Sequence, residues 1–179
     1  MTVYFDMDGV LSDLYGAISQ AWGIPPEEIT GHSEETSRRY FKWVLEPPGA
    51  EEIFATVPPL HLEEMRSLMV ELSSRGYTLG ILSSLGVSPE FSQGAPIRAG
   101  KERWLREHYG DFLENGILSE VHFVNSGGHK KDFAGEGHIL VDDTYYIVES
   151  FIAAGGKGVH YKSWKPAESM GEILEIAVR

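Results

Sequence analysis

Three short apolar runs, far apart in the chain, each stop at a polar group. Val3-Tyr4-Phe5 ends at Asp6, Tyr77-Thr78-Leu79-Gly80-Ile81-Leu82 ends at Ser83-Ser84, and Ile139-Leu140-Val141 ends at Asp142-Asp143. Runs this short suit strands, and the segments between them have helical period. Leu62, Met65, Leu68, Met69 and Leu72 share one helix face, and Gly76 follows as a stop. The same reasoning predicts a helix over 101–109 ended by Gly110, a strand over 121–124, a helix over 147–154 before Gly155-Gly156, a strand over 158–161 and a helix over 167–178. Strands that alternate with helices have the long crossovers that parallel pairing requires. The expected class is therefore α/β: a Rossmann-like parallel sheet with helices on both faces.

Residues 14–60 break this rhythm. They hold the pairs Pro25-Pro26, Pro47-Pro48 and Pro58-Pro59 and the aromatics Trp22, Tyr40, Phe41, Trp43 and Phe54. Paired prolines interrupt regular structure, because each removes a backbone donor. This stretch reads as a small, mostly helical cap insertion, with 1–13 and 61–179 forming the core. A chain of 179 residues has room for one such core and its insertion.

The charge balance narrows the partners. Fifteen Lys+Arg against 27 Asp+Glu give a formal charge of −12. Binding to a nucleic-acid polymer or an anionic membrane depends on basic side chains neutralising phosphates, so neither partner is expected. A small anionic substrate remains compatible if cations or a metal gather locally. There is no cysteine, which excludes disulfides, a thiolate nucleophile and Cys-ligated metal. The start of the chain has no basic segment ahead of an apolar one, and no apolar run reaches the roughly 20 residues of a membrane span. The expectation is a soluble, cytoplasmic protein.

Ligands of open α/β sheets bind beyond the carboxyl ends of the strands, so the three polar run-ends are candidates for one site. Asp6-Met7-Asp8-Gly9-Val10-Leu11-Ser12-Asp13 places two carboxylates two residues apart, with Gly9 free to turn the chain. A calcium loop beginning in the same way would need oxygen donors where Val10 and Ala17 stand and glycine where Leu11 stands. An Asx turn is the simpler alternative. Ser83 or Ser84 is placed to donate to a phosphoryl oxygen, although serine is common wherever strands turn. Lys130, Lys131 and Lys101 are candidate phosphate counter-charges, although most lysines lie in solvent. Asp142-Asp143 suits either a hard cation or the N-cap of the following helix.

In this order the motifs resemble those of the haloacid dehalogenase superfamily: Asp6-x-Asp8-Gly9-Val10, then Ile81-Leu82-Ser83-Ser84, then a basic residue, then Ile139-Leu140-Val141-Asp142-Asp143. More narrowly, Asp6 to Asp13, Glu46-Pro47-Pro48-Gly49, Lys101 to Gly110 with Asp111-Phe112-Leu113, and Leu140 to Asp143 resemble the 5′(3′)-deoxyribonucleotidase family. Ala50-Glu51 and Thr144 depart from it, standing where that family has aromatics and a basic residue. The resemblance implies a phosphomonoesterase acting on a small phosphorylated substrate, a nucleoside monophosphate. It implies Asp6 as nucleophile and Asp8 as acid and base. Mg²⁺ would be held by the Asp6 side chain, the Asp8 carbonyl and Asp142, with Asp143 in support. Ser83 and a lysine would bind phosphate, Lys130 rather than Lys131 because of its place upstream of Ala134. Tyr40, Phe41, Trp43, Ile53 and Phe54 would then offer a base or sugar an apolar surface, or simply pack the cap onto the core. A phosphatase for sugar phosphates, a non-catalytic binding module on the same scaffold, and a homodimer are also compatible with the sequence.

Overall fold

β-branched and aromatic runs flanked by helical segments assemble as their alternation requires. The computed structural model describes residues 1–25, 29, 34–87 and 92–178. The chain forms β1 (Thr2–Phe5), α1 (Leu14–Trp22), α2 (Glu34–Leu45), α3 (Ala50–Thr56), α4 (Leu62–Ser74), β2 (Thr78–Ser84), α5 (Gly94–Glu114) and β3 (Leu118–Val124). A 3₁₀ turn (Gly127–Phe133), β4 (Ile139–Asp142), α6 (Tyr145–Ala153), β5 (Lys157–His160) and α7 (Pro166–Val178) complete it.

The sheet order is β3-β2-β1-β4-β5, with every pair parallel. β1 is central: Phe5 sits opposite Ile81 of β2 on one side and Val141 of β4 on the other. Side chains alternate across the sheet, as the strand period dictates. Val3 and Phe5 face a core built with Met65, Met69, Leu72, Trp104 and Ile173 from α4, α5 and α7. Tyr4 and Leu140 face the opposite layer, where Ile147 and Phe151 of α6 cover them. Helices thus lie on both faces.

Two elements differ from the sequence expectation by more than two residues. The helix expected over 101–109 begins earlier, at Gly94, and does end in a kink at Tyr109 (φ −135°, ψ 19°), beyond which a second short helical segment runs on to Glu114. Phe112 of that second segment is buried in the main core. The left-handed residue that follows the helix is Gly116 (φ 78°), directly after the C-cap Asn115. β3 starts at Leu118 rather than residue 121, because Leu118 is itself buried.

The helices between β1 and α4 build a second apolar cluster. Leu14, Ile18, Val44, Ile53, Phe54 and Val57 pack there with Leu85 and Ile97 from outside that segment. The chain enters and leaves side by side: Asp13 N donates to the Pro58 carbonyl (2.7 Å) and Leu60 N to the Leu11 carbonyl (2.8 Å). α3 lies directly on α5. A Cβ on Gly100 would be 2.4 Å from the Glu51 carbonyl oxygen, so only glycine allows this approach. Trp104 Nε1 also donates to the Val57 carbonyl at 2.6 Å. Among the described residues, no helix is long and apolar enough to cross a membrane.

Candidate active site

With β2, β1 and β4 adjacent, their carboxyl ends meet at the middle of the sheet. Asp6 follows β1, tied to the neighbouring strand by Asp6 N to the Val141 carbonyl (2.9 Å). The Met7 amide donates to Asp6 Oδ1 at 2.7 Å. The chain then folds into a tight loop in which Val10, Leu11 and Ser12 amides all donate to the Met7 carbonyl. Gly9 takes φ 76°, and a Cβ there would lie 2.3 Å from Asp143 Oδ2. The turn expected of Gly9 is therefore real, and its lack of a side chain makes room for Asp143.

The loop turns Asp8 back toward the site, where two donors hold it. Ser12 Oγ donates to Asp8 Oδ1 (3.2 Å) and Lys101 Nζ to Asp8 Oδ2 (2.7 Å). Lys101, 1% exposed, also donates to Ser83 Oγ (2.9 Å) and the Ser84 carbonyl (2.8 Å). Its three protons are thus committed to the ends of β1 and β2. Across the site, Lys130 reaches in from the 3₁₀ turn to Asp142 Oδ2 (2.6 Å) and Asp6 Oδ2 (2.8 Å). Burial disfavours the charged lysine, but the Asp6 and Asp142 carboxylates outweigh it and raise its pKa above the ordinary value. Lys131, its neighbour, is exposed.

Asp142 Oδ1 accepts from the amide of Thr144, the N-cap residue of α6 (2.8 Å), so this acid serves both the helix start and the charge cluster. Asp143 takes a hydrogen bond from Thr144 Oγ1 (3.3 Å) and pairs with the Tyr15 hydroxyl. Burial, then the charges of Asp6 and Asp142, push its pKa up to about 8. Asp6, Asp142 and Asp143 each offer an oxygen, and these oxygens lie within 4.8 Å of one another. Three carboxylates around a single bridging ammonium suit a hard divalent cation. The Asp8 side chain stands outside this set, engaged by Lys101.

A cavity of about 320 Å³ opens over Asp6 and Asp8 and reaches into the inserted helices. Tyr40, Phe41 and Phe54 line it, and Ser84, Lys130 and Asp143 form part of its floor. Trp43 and Ile53, for which the sequence left substrate contact and cap packing both open, pack in the second apolar cluster and are not lining residues, whereas Tyr40, Phe41 and Phe54 belong to both. Tyr15 and Ile18 of α1 also line the cavity without standing out in the sequence, where Trp22, a third lining residue of this helix, appears only among the aromatics of residues 14–60. Their only signal was proximity: α1 starts within two residues of Ser12, so its first turns must pass close to Asp8.

No family model matches the chain, and no curated protein matches it. Solved structures do. A HAD-superfamily hydrolase, subfamily IA, variant 1, from Geobacter sulfurreducens matches with a TM-score of 0.54 at 19% identity, covering 98% of this chain and 95% of that one. A protein provisionally named a phosphatase from Clostridium difficile gives 0.55 at 16% identity, covering 98% and 97%. A provisionally named HAD-hydrolase from Bacillus subtilis, bound to magnesium, gives 0.54 at 10% identity, covering 98% and 97%. The fold is that of the haloacid dehalogenase superfamily. In a haloacid dehalogenase fold the region beyond the central strands is where this chain gathers its buried charges.

Proposed function

We propose that this chain is a Mg²⁺-dependent phosphomonoesterase working through an aspartyl-phosphate on Asp6, and that its substrates are nucleoside monophosphates, as in the 5′(3′)-deoxyribonucleotidases. The observation that carries the reading is Lys130, buried and bridging Asp6 and Asp142 at 2.8 and 2.6 Å beneath a cavity that opens on Asp6 and Asp8. The narrower substrate assignment rests on the motif resemblance and on the aromatic lining from Tyr40, Phe41 and Phe54.

In this mechanism an Asp6 carboxylate oxygen attacks phosphorus and the bond to the ester oxygen breaks. Asp8, steadied by Ser12 and Lys101, gives a proton to the departing alkoxide. It then takes a proton from the water whose oxygen attacks the acyl phosphate, which restores Asp6 and frees inorganic phosphate. Lys130 balances charge on the phosphoryl oxygens as it moves. Ser83 and Ser84 border the phosphate position at the end of β2. Asp6, Asp142 and Asp143, with the Asp8 carbonyl, would hold the cation. When bound, Mg²⁺ offsets the repulsion between the acids and an incoming phosphate.

The test is phosphate release from nucleoside monophosphates, sugar phosphates and a generic aryl phosphate, with Mg²⁺ or EDTA, for the wild type and Asp6→Asn. Mg²⁺-dependent turnover abolished by Asp6→Asn is expected, with nucleotides preferred. Turnover of none of them, the aryl phosphate included, overturns the catalytic reading. A preference for sugar phosphates overturns the nucleotidase assignment alone.

A further inference from the structure

Among the described residues, every charge that lines the cavity sits on its floor. Asp6, Asp8, Asp143 and Lys130 are the charged lining residues, and all belong to the phosphate end. Beyond them the described lining is neutral, with Ile18, Trp22, Phe41, Phe54, Leu85 and Ile147 forming most of the apolar wall and Thr36 and Ser37 adding hydroxyls. Residues 26–33 and 88–91 contain no lysine or arginine in their sequence. Arg39, on the inserted helices, is not itself a lining residue: its guanidinium stacks 4.5 Å from the ring centroid of the lining residue Trp22 and donates to the Trp22 carbonyl at 3.1 Å.

A leaving group carrying its own carboxylate or second phosphate would enter this wall without a cationic side chain among the described lining residues. An anion taken from water into such surroundings is strongly disfavoured unless it is paired. The formal charge of −12 supplies no compensating field. We infer that the site selects phosphomonoesters whose alcohol part is uncharged, and rejects esters of equal shape that carry a second anion. The inference rests on the phosphatase reading and narrows it. It admits a nucleoside monophosphate or a neutral aryl or alkyl phosphate. It excludes nucleoside 3′,5′-bisphosphates, sugar bisphosphates and phosphorylated carboxylic acids.

The test compares two isosteric esters, 4-carbamoylphenyl phosphate and 4-carboxyphenyl phosphate, by release of inorganic phosphate from the Mg²⁺-loaded protein. The amide should be favoured in kcat/KM on the order of 100-fold, as expected where a buried group is left unpaired. The preference should persist at about 0.5 M KCl, where the Debye length is a few Å and the field of the whole protein is screened. Tyr146→Arg places a cation on a residue that lines the cavity yet is 58% exposed, so the fold tolerates it. It should narrow the ratio about tenfold; Ile18→Lys, deeper in the wall, should act in the same direction. Equal kcat/KM for the two esters overturns the inference and leaves the phosphatase reading standing. So does a preference that vanishes in salt, which would trace it to overall charge. Hydrolysis of neither ester overturns the phosphatase reading, and this inference falls with it.

Discussion

Replacing Lys130 with methionine keeps most of the buried stem and deletes the one ammonium that bridges Asp6 and Asp142. The residue is 1% exposed, so no water takes its place without rearrangement. Removing one partner from a buried charge cluster costs about 3–5 kcal/mol, because the remaining charges stay desolvated and unpaired. Here those charges are Asp6 and Asp142, with Asp143 beside them. Against a total stability of about 5–15 kcal/mol the loss is large. For a chain of this size it corresponds to a fall of roughly 6–20 °C in Tm. A divalent cation should recover part of it by binding only the folded acids, about 2.7 kcal/mol at a hundred times its Kd. Urea unfolding of wild type and Lys130→Met in EDTA and in MgCl₂ measures both effects. A cost below about 1 kcal/mol in EDTA would refute the account of Lys130 as the neutralising group.

Three further outcomes follow from the same geometry. The carboxyl of Asp143 is held near 8 in the fold against an ordinary 3.8, so the folded state binds its proton more tightly. Its contribution is full below about 4 and lost as pH climbs through 8: metal-free protein should lose Tm steadily between pH 5 and 8, and MgCl₂ should flatten the slope. Gly9→Ala, which combines a left-handed φ with a Cβ 2.3 Å from Asp143 Oδ2, should lower stability by at least the ~1–2 kcal/mol of the backbone term and cut phosphatase turnover more than tenfold; wild-type values for both would contradict the close approach. Gly100→Ala and Gly171→Ala should differ in sign. The first drives a Cβ against the Glu51 carbonyl and costs about 1–3 kcal/mol, while the second, in helix α7 with nothing within 4 Å, gains up to about 1 kcal/mol in thermal or urea unfolding.

Much of this arrangement was legible because it lay in the ends of apolar runs. A strand that stops at Asp6, at Ser83-Ser84 or at Asp142-Asp143 announces where a parallel sheet presents polar groups, and the structure brings all three together. The loop at Gly9 was legible for the same reason, since few other residues take its φ. Lys130 and Lys131 were not separable by residue type, because the choice depends on how a 3₁₀ turn rotates successive side chains. Lys101 read as a candidate phosphate ligand, but its commitment to Asp8, Ser83 and the Ser84 carbonyl depends on how α5 lies across two strand ends. Gly110 reads as a helix stop and the first helix does break beside it, at Tyr109; the second short helical segment, with Phe112 buried in the core, has no such local signal. Trp43 and Phe41 are two residues apart in one helix and both pack against the second apolar cluster, and only the tertiary packing decides that Phe41 also reaches the cavity.

The position of β1 has a consequence for how the molecule comes into being. Its residues 2–5 leave the ribosome well ahead of the strands they pair with, residues 78–84 and 139–142. A nascent chain that has not yet released residue 139 holds Asp6 on a strand with one side open, without Lys130's second acid partner. The charge cluster is therefore completed only when β4 has emerged, and no fragment ending before residue 139 can carry it. Long-range parallel pairing of this kind is also slow, so assembly of the centre and closure of the sheet should be one and the same event in refolding.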